Sequence, residues 1–533
     1  MKNIFKATLL SVALLVVFSS CQKWEEYNTN PFGVTDEMLA ADYANIGAYY
    51  PQIMQAVYYN RNNSNWEFQL VQNLTADHWA GYMGNASNFS DGVNTTNMYM
   101  TDSWISFEWD VTYKRVMAPI FNSIKPQADN DENRHFYAPA LILQVYAMDR
   151  LVDMFGPCSY SAYGGSTTGG NFETVQDTYK QFFKDLDVAV AALDKFISET
   201  GSTTSKSFSK YDQWGGGDFS RWIRFANTLR MRLAMHIVKA DPATAKSEFQ
   251  KAAANSYGVL KEGEIIEHKS DTWQHPLWTL SQSWTDCYMG ATLESLMTGY
   301  GDPREGKYFL KTTNAAALAA GQEFASIRFA NDIPTKDAYA GFSMCAVEKT
   351  APAMIMNPAE AQFLLAEAAL RGWVSGSAES YYKAGVEASF KQHGVSGADS
   401  YLKSEAVPAD YVNAVNPAHN IKAVNFLSPK WNEGDSNETK LERIIDQKYI
   451  ALYPDGFEAW TELRRTGYPK LYPAIKNSSG GVLGDNDVVR RSPYPQSVVE
   501  TDASGYQQAV GFLGGKDDAA TRLWWDKKEV ANF

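Results

Sequence analysis

The chain has 533 residues, enough to bury a large core without covalent staples. Its formal charge of −13 lacks the basic footprint that nucleic-acid binders carry, so nucleic acid is not expected as a partner. Four cysteines are too few for a disulfide-framed scaffold of this length.

The first residues read as a processing signal. Lys2 and Lys6 precede an apolar run from Ala7 to Phe18, and Ser19, Ser20 and Cys21 follow. The run falls short of the roughly 20 apolar residues that span a bilayer, and its order of charge, apolar run and small residues is that of an export signal. Cys21 after Ser19-Ser20 resembles a bacterial lipobox, which implies cleavage before the cysteine and acylation of its thiol. Several acyl chains, at ~0.8 kcal/mol per buried methylene, hold a protein on a membrane without spanning it. Residues 1–20 are therefore expected to be a lipoprotein signal peptide, and residues 21–40 a lipidated tether. Removing Lys2 and Lys6 lowers the charge by two, to −15. Gln22-Lys23-Trp24-Glu25-Glu26 looks like the signal that sends Bacteroidetes lipoproteins to the outer face. Cys158, Cys287 and Cys345 remain, and an odd number allows at most one disulfide.

From residue 41 onward the pattern is helical, and one domain is expected over 41–533, mostly α, with loop insertions. Leu141, Val145, Met148, Val152 and Phe155 step by four and three, the period of an amphipathic helix. Phe182 to Ile197, Trp222 to Leu233, Phe363 to Trp373 and Leu441 to Leu452 carry similar stripes. Gly156-Pro157 ends the first of these helices, and Gly372 lies near the end of another. The helices pair in sequence: ~105–128 with ~133–155, ~173–199 with ~218–239, ~357–373 with ~377–393, and ~438–453 with ~456–466. The third pair reads most like a tetratricopeptide unit, with small residues that let its helices approach. Between the pairs lie long polar stretches: Gly84 to Ser103, Pro157 to Asn171, Gly201 to Gly217, Glu267 to Gly306 and Gly467 to Leu523. Loops beyond ~12–15 residues are uncommon in compact domains and are usually functional or disordered. These are rich in Trp and Tyr, which favours ordered loops on one side of a helical scaffold.

At this point the residues resemble a known family, the SusD/RagB-type lipoproteins, in particular their starch-binding-associated branch. The resemblance is carried by Arg443-Ile444-Ile445-Asp446-Gln447-Lys448-Tyr449 running on to Trp460, then Leu463-Arg464-Arg465-Thr466-Gly467-Tyr468-Pro469. Asn357-Pro358, Gly217-Asp218-Phe219-Ser220-Arg221-Trp222, Asp153-Met154-Phe155-Gly156, Arg490-Arg491-Ser492-Pro493 and Leu523-Trp524-Trp525-Asp526 add to it. The resemblance implies four tetratricopeptide-like helix pairs, agreeing with the pairs read above. It implies a SusC-like TonB-dependent transporter as partner, an oligosaccharide or polysaccharide ligand, and binding without catalysis or cofactor. Glu458, Arg464 and Arg465 are expected to stabilise the fold through the helix dipole. Asp149 and Asp153 share a helix face and are expected to be solvated or capping.

A sugar ring has an apolar face that stacks on a flat π surface, and hydroxyls that need amide or carboxylate partners at the edge. Two segments supply both. His78-Trp79-Ala80-Gly81-Tyr82-Met83-Gly84-Asn85 is followed by Asn88, Phe89 and Trp104; Trp273-Gln274-His275-Pro276-Leu277-Trp278 is followed by Trp284 and Tyr288. Trp79, Tyr82, Trp273 and Trp278 are the expected platforms, with Asn85 and Gln274 as polar partners. Trp109 and Trp222 begin periodic helices and are expected in the core.

Catalytic readings find little. A surface glycoside hydrolase needs two carboxylates ~5–9.5 Å apart, a geometry that sequence does not reveal. There is no G-x-S-x-G and no H-E-x-x-H. Gly165 to Gly170 has phosphate-loop spacing, but Asn171 stands where lysine is required. His268 and His275 lack the companion ligands of a zinc site, so no metal is expected. An oligopeptide-binding lid on a similar scaffold, RagB-like, is the other binding reading.

Overall fold

The computed structural model describes residues 36–58, 64–165, 170–269 and 272–533; the expected signal segment and Cys21 lie outside them. Helix α1 (Asp102–Val111) runs on through π turns at Thr112–Met117 and Ile120–Ile124 to Lys125–Ala128. It is followed by α2 (Arg134–Phe155), where Gly156 at φ 95° makes the stop that its lack of a side chain permits. Next come α3 (Val175–Thr200), α4 (Phe219–His236), α5 (Pro242–Ala253), α6 (Ala291–Tyr300), α7 (Pro358–Leu370), α8 (Ala378–Gln392), α9 (Asn437–Leu452) and α10 (Gly456–Thr466). Starts are written into the sequence. Thr174, Asp218, Asn357, Ser436 and Asp455 each accept a hydrogen bond from the first turn of the helix they cap. Pro358 follows Asn357 at a position where a helix needs no N–H.

The four expected pairs are present. Helix α3 packs on both α2 and α4, α4 reaches α7, and α7 lies between α8 and α9. One hydrophobic cluster runs from Ile46 to Trp525. Among the described residues no helix is long and apolar enough to cross a membrane. Two stretches read as loops contain helices. Helix α6 lies inside 267–306, and α11 (Gln496–Thr501) and α12 (Ala503–Leu513) lie inside 467–523. Helix α6 is buried on nearly every side, so it shows no polar face and no stripe to detect. Four short strands, β1 (Met83–Asn85), β2 (Ile266–His268), β3 (Cys287–Met289) and β4 (Ala353–Met356), form two antiparallel ribbons, β1 with β3 and β2 with β4. Cys158, Cys287 and Cys345 are buried free thiols.

Buried charges bind the pairs together. Arg232 on α4 grips Glu360 on α7 with two bonds of 2.6 Å. Glu458 on α10 accepts from Lys448 on α9 at 2.9 Å and from His236 on α4 at 3.0 Å. Arg465 on α10 holds Glu367 on α7 at 2.7 and 2.8 Å and Glu462 at 2.6 and 2.9 Å. The family-like residues of α9 and α10 are thus structural, but through paired buried charges more than through the helix dipole. Asp149 and Asp153 are buried, not solvated: both accept from the Tyr179 hydroxyl and face His236. His236 forms two compact triads, one with Asp149 and Asp153 and one with Glu458 and Glu462, each close enough to resemble a metal site. Burial opposes a charge on His236, but Glu458 and Asp149 outweigh it and push its pKa up to about 10.

Asp77, sealed beneath these helices, is pushed up to about 8 by burial. Asp77 and His236 both bind protons more tightly folded than unfolded. Their contribution is complete below the ordinary values, 3.8 and 6.5, and is lost as pH rises through about 8 and about 10. The urea midpoint is expected to fall between pH 7 and 10, and Asp77→Asn to flatten the part below pH 8. A level midpoint across that range contradicts the assignment.

Candidate functional site

The β1–β3 ribbon brings two distant loops side by side. Asn85 pairs with Cys287, so residues 86–89 run beside residues 284–286. The Ala86 amide donates to the Asp286 carbonyl at 3.2 Å. Gly84 sits inside this ribbon because a Cβ there would meet the Ile327 carbonyl oxygen at 2.6 Å. Gly84→Ala is expected to cost ~1–3 kcal/mol, since backbone cannot move aside as a side chain would. Urea unfolding measures it; an unchanged midpoint contradicts the account.

A ledge of two exposed and three half-buried rings stands beside the end of the ribbon, tied to it by the Gln69–Asp286 bond. Trp66, on the short helix Asn65–Phe68, is 46% exposed, and Trp284 is 38% exposed. Trp66 meets Phe107 edge to face, with ring centroids 5.2 Å apart. Phe89 meets Trp104 in the same way at 5.6 Å. Trp104 and Phe107 are one turn apart on α1, so the two ring pairs are neighbours.

A polar clamp joins the pieces. Asp286 accepts from Gln69 at 3.2 Å, from Ser87 at 2.5 Å and from Lys336 at 2.6 Å. Gln69 is one turn beyond Trp66, and Lys336 also donates to the Trp284 carbonyl at 2.7 Å. Ser90, Asp91 and Thr285 take left-handed conformations at φ 49°, 52° and 56°, which non-glycine residues rarely hold. Such strain persists only where surrounding structure enforces it, and it concentrates at functional sites. The arrangement offers exposed apolar faces beside a fixed, largely buried carboxylate and amide and a partly exposed ammonium.

The expected platform residues fall elsewhere, and most are corrected. Trp79 is 1% exposed, packs on Trp460 and donates to the Thr95 carbonyl at 3.1 Å. Tyr82 is fully buried against Tyr449 and Tyr453. Asn85 is buried and spends its amide on the Ser87 backbone. Trp273 is buried against Tyr58 and His268 and donates to the Ala351 carbonyl at 2.7 Å. None of these rings has a free face. Gln274 and Trp278 stay half-buried; Gln274 donates to Thr279 at 2.7 Å, and the Lys349 ammonium lies 5.0 Å over the Trp278 ring. His268 and His275 are pushed down to about 4 and about 3 by burial and pack around Trp273. Trp222 is in the core as expected, whereas Trp109 is half-buried. Trp66 carried a usable signal, since Asn62-Asn63-Ser64-Asn65 before it is as polar as the other aromatic loops.

Comparison with known proteins identifies the family of the chain. No curated protein matches the chain. Among solved structures, a chitin-binding SusD homolog from Flavobacterium johnsoniae is 39% identical, with TM-score 0.87, over 91% of this chain and 99% of that one. A SusD homolog from Bacteroides vulgatus is 36% identical, with TM-score 0.86, over 93% and 100%. One from Bacteroides uniformis is 32% identical, with TM-score 0.82, over 91% and 99%. The family model described as SusD and RagB outer membrane lipoprotein matches residues 26–526, and the chain belongs to that SusD-like family.

Proposed function

We propose that this protein is an outer-membrane lipoprotein, acylated at Cys21 and facing outward, that captures glycan and hands it to a TonB-dependent transporter of the SusC kind. The observation that carries the ligand class is the ledge: solvent-exposed Trp66 and Trp284 flank a carboxylate fixed by three donors. Sugar faces stack on such rings and sugar hydroxyls meet such edges. The ledge is shallow and open, which suits cargo that must be released. The chitin-binding relative supports a polymer of N-acetylglucosamine as the cargo. Trp278 and Gln274 join the reading as an outlying contact. The reading includes no bond cleavage; Asp286 is taken as a clamp that accepts from Gln69, Ser87 and Lys336.

Affinity electrophoresis through glycol chitin and a panel of other polysaccharides tests this reading. Retardation by at least one glycan, with no reducing sugar released, is expected. Retardation by none of them, together with binding of oligopeptides, favours the peptide lid. Release of reducing sugar by pure protein favours the hydrolase.

A further inference from the structure

A second aromatic site lies on the other flank of α1. A groove of about 470 Å³ opens between α1 and its π extension, the loop from Ser159 to Gly164, the Gly170–Phe172 segment and α11. Its lining is ring upon ring. Tyr113 and Tyr163 stack at 5.6 Å with planes 24° apart, and Phe121 meets Tyr163 edge-on at 5.4 Å. Trp109 lies over Phe172 at 5.9 Å and 25°. Trp109, Tyr113, Phe121 and Tyr163 are all half-buried, each with part of its ring accessible.

The rings are rigidly set. The Tyr113 hydroxyl donates to the Ser159 carbonyl at 2.8 Å and accepts from the Ser159 amide at 3.2 Å, which pins the loop to the helix. Asp502 accepts from the Gly170 amide at 3.2 Å and from the Gly505 amide at 2.8 Å, pinning the opposite wall. Asn122, Asn171 and Thr501 are exposed at the rim. The lining carries one charge, the Asp502 carboxylate, and no cation. Stacked rings with amide and hydroxyl edges select an uncharged polyhydroxylated ring and disfavour phosphate or sulfate.

Position links this groove to the ledge. Trp104 and Phe107 serve the ledge, and Trp109 serves the groove, all on α1. Five residues advance a helix about 7.5 Å and turn it by roughly 140° past a full turn, so Trp104 and Trp109 face opposite flanks. We propose that the groove is a second carbohydrate subsite, and that one polysaccharide strand crosses α1 to occupy ledge and groove together. The inference rests on the glycan reading of the ledge. Two weak sites on one strand raise avidity by 10²–10⁴ without a new contact, while each still releases its sugar quickly.

The test uses full-length mature protein, with a soluble chitin hexasaccharide titrated by calorimetry and glycol chitin in affinity gels. The variants are Tyr163→Ala for the groove, W66A/W284A for the ledge, and the triple variant. Circular dichroism and melting check that each is folded; if Tyr163→Ala is not, Asn171→Trp, which narrows the rim, replaces it. Tyr163→Ala is expected to weaken both retention on glycol chitin and hexasaccharide affinity by at least tenfold, since one strand of that length bridges the two sites. W66A/W284A is expected to keep a weak hexasaccharide site that the triple variant loses. If intact protein binds and Tyr163→Ala is retained like it, the second subsite is overturned and the ledge stands. If intact protein binds neither probe, the chitin reading of the ledge falls, and the groove proposal with it.

Discussion

Removing both exposed tryptophans, Trp66→Ala with Trp284→Ala, is expected to weaken glycan binding by about 5- to 150-fold and leave the fold intact. Each stacked ring contributes ~0.5–1.5 kcal/mol, so the pair contributes ~1–3 kcal/mol, and 1.4 kcal/mol is tenfold in affinity. Both rings stand out of the core, at 46% and 38% exposure, so their removal opens no cavity. Trp79→Ala should do the reverse. Its ring is sealed against Trp460, and truncation there is expected to cost ~3–5 kcal/mol of stability. Binding by whatever fraction stays folded should be unchanged. Calorimetry and urea unfolding on the same samples separate the two effects. Undiminished affinity in the Trp66 and Trp284 double variant would remove the ledge from consideration.

Arg465→Ala is expected to cost ~3–5 kcal/mol at neutral pH, a large share of the stability of any domain. The guanidinium holds two carboxylates at once, Glu367 and Glu462, and all three side chains are almost wholly buried. Truncation takes their shared partner from both buried acids, leaving Glu367 with Arg371 alone and Glu462 with Lys448 at 3.6 Å. Burial by itself raises the Glu367 pKa; Arg465 and Arg371 outweigh it and hold that carboxyl well below the usual range. A depressed carboxylate contributes stability above its ordinary value, 4.5, and loses it as pH falls through the folded value. The variant should therefore suffer most at pH 7 and least near pH 4, where Glu367 can neutralise itself. Denaturant midpoints at the two pH values measure the difference. An equal deficit at both would show that Arg465 acts by packing alone.

These two results divide along the line between what could be read and what could not. The helix pairs were legible because their cause is local. Apolar residues three and four apart, a Thr174 or Asn357 cap at one end and a Gly156 stop at the other lie within one stretch of chain. The aromatic loops were legible too, because rings in polar surroundings stand out against rings in periodic ones. Which ring within a loop faces outward was not. Trp79 and Trp284 both sit in such loops, yet one is sealed and the other is on the ledge. The ring over Trp79 is Trp460, and nothing near residue 79 announces it.

By itself, the sequence determined the mostly helical class, the pairing of helices, the family and the segments from which a ligand site is drawn. Only the tertiary structure decided that Trp66 and Trp284, not Trp79 and Trp273, present open faces, and that Arg232, Lys448 and Arg465 meet their acids across helices. The physical reason is distance along the chain. Helical period and capping are set by neighbours within a turn or two, whereas exposure and charge pairing depend on partners from other helices, as far apart as Trp79 and Trp460, that meet only when the chain has folded.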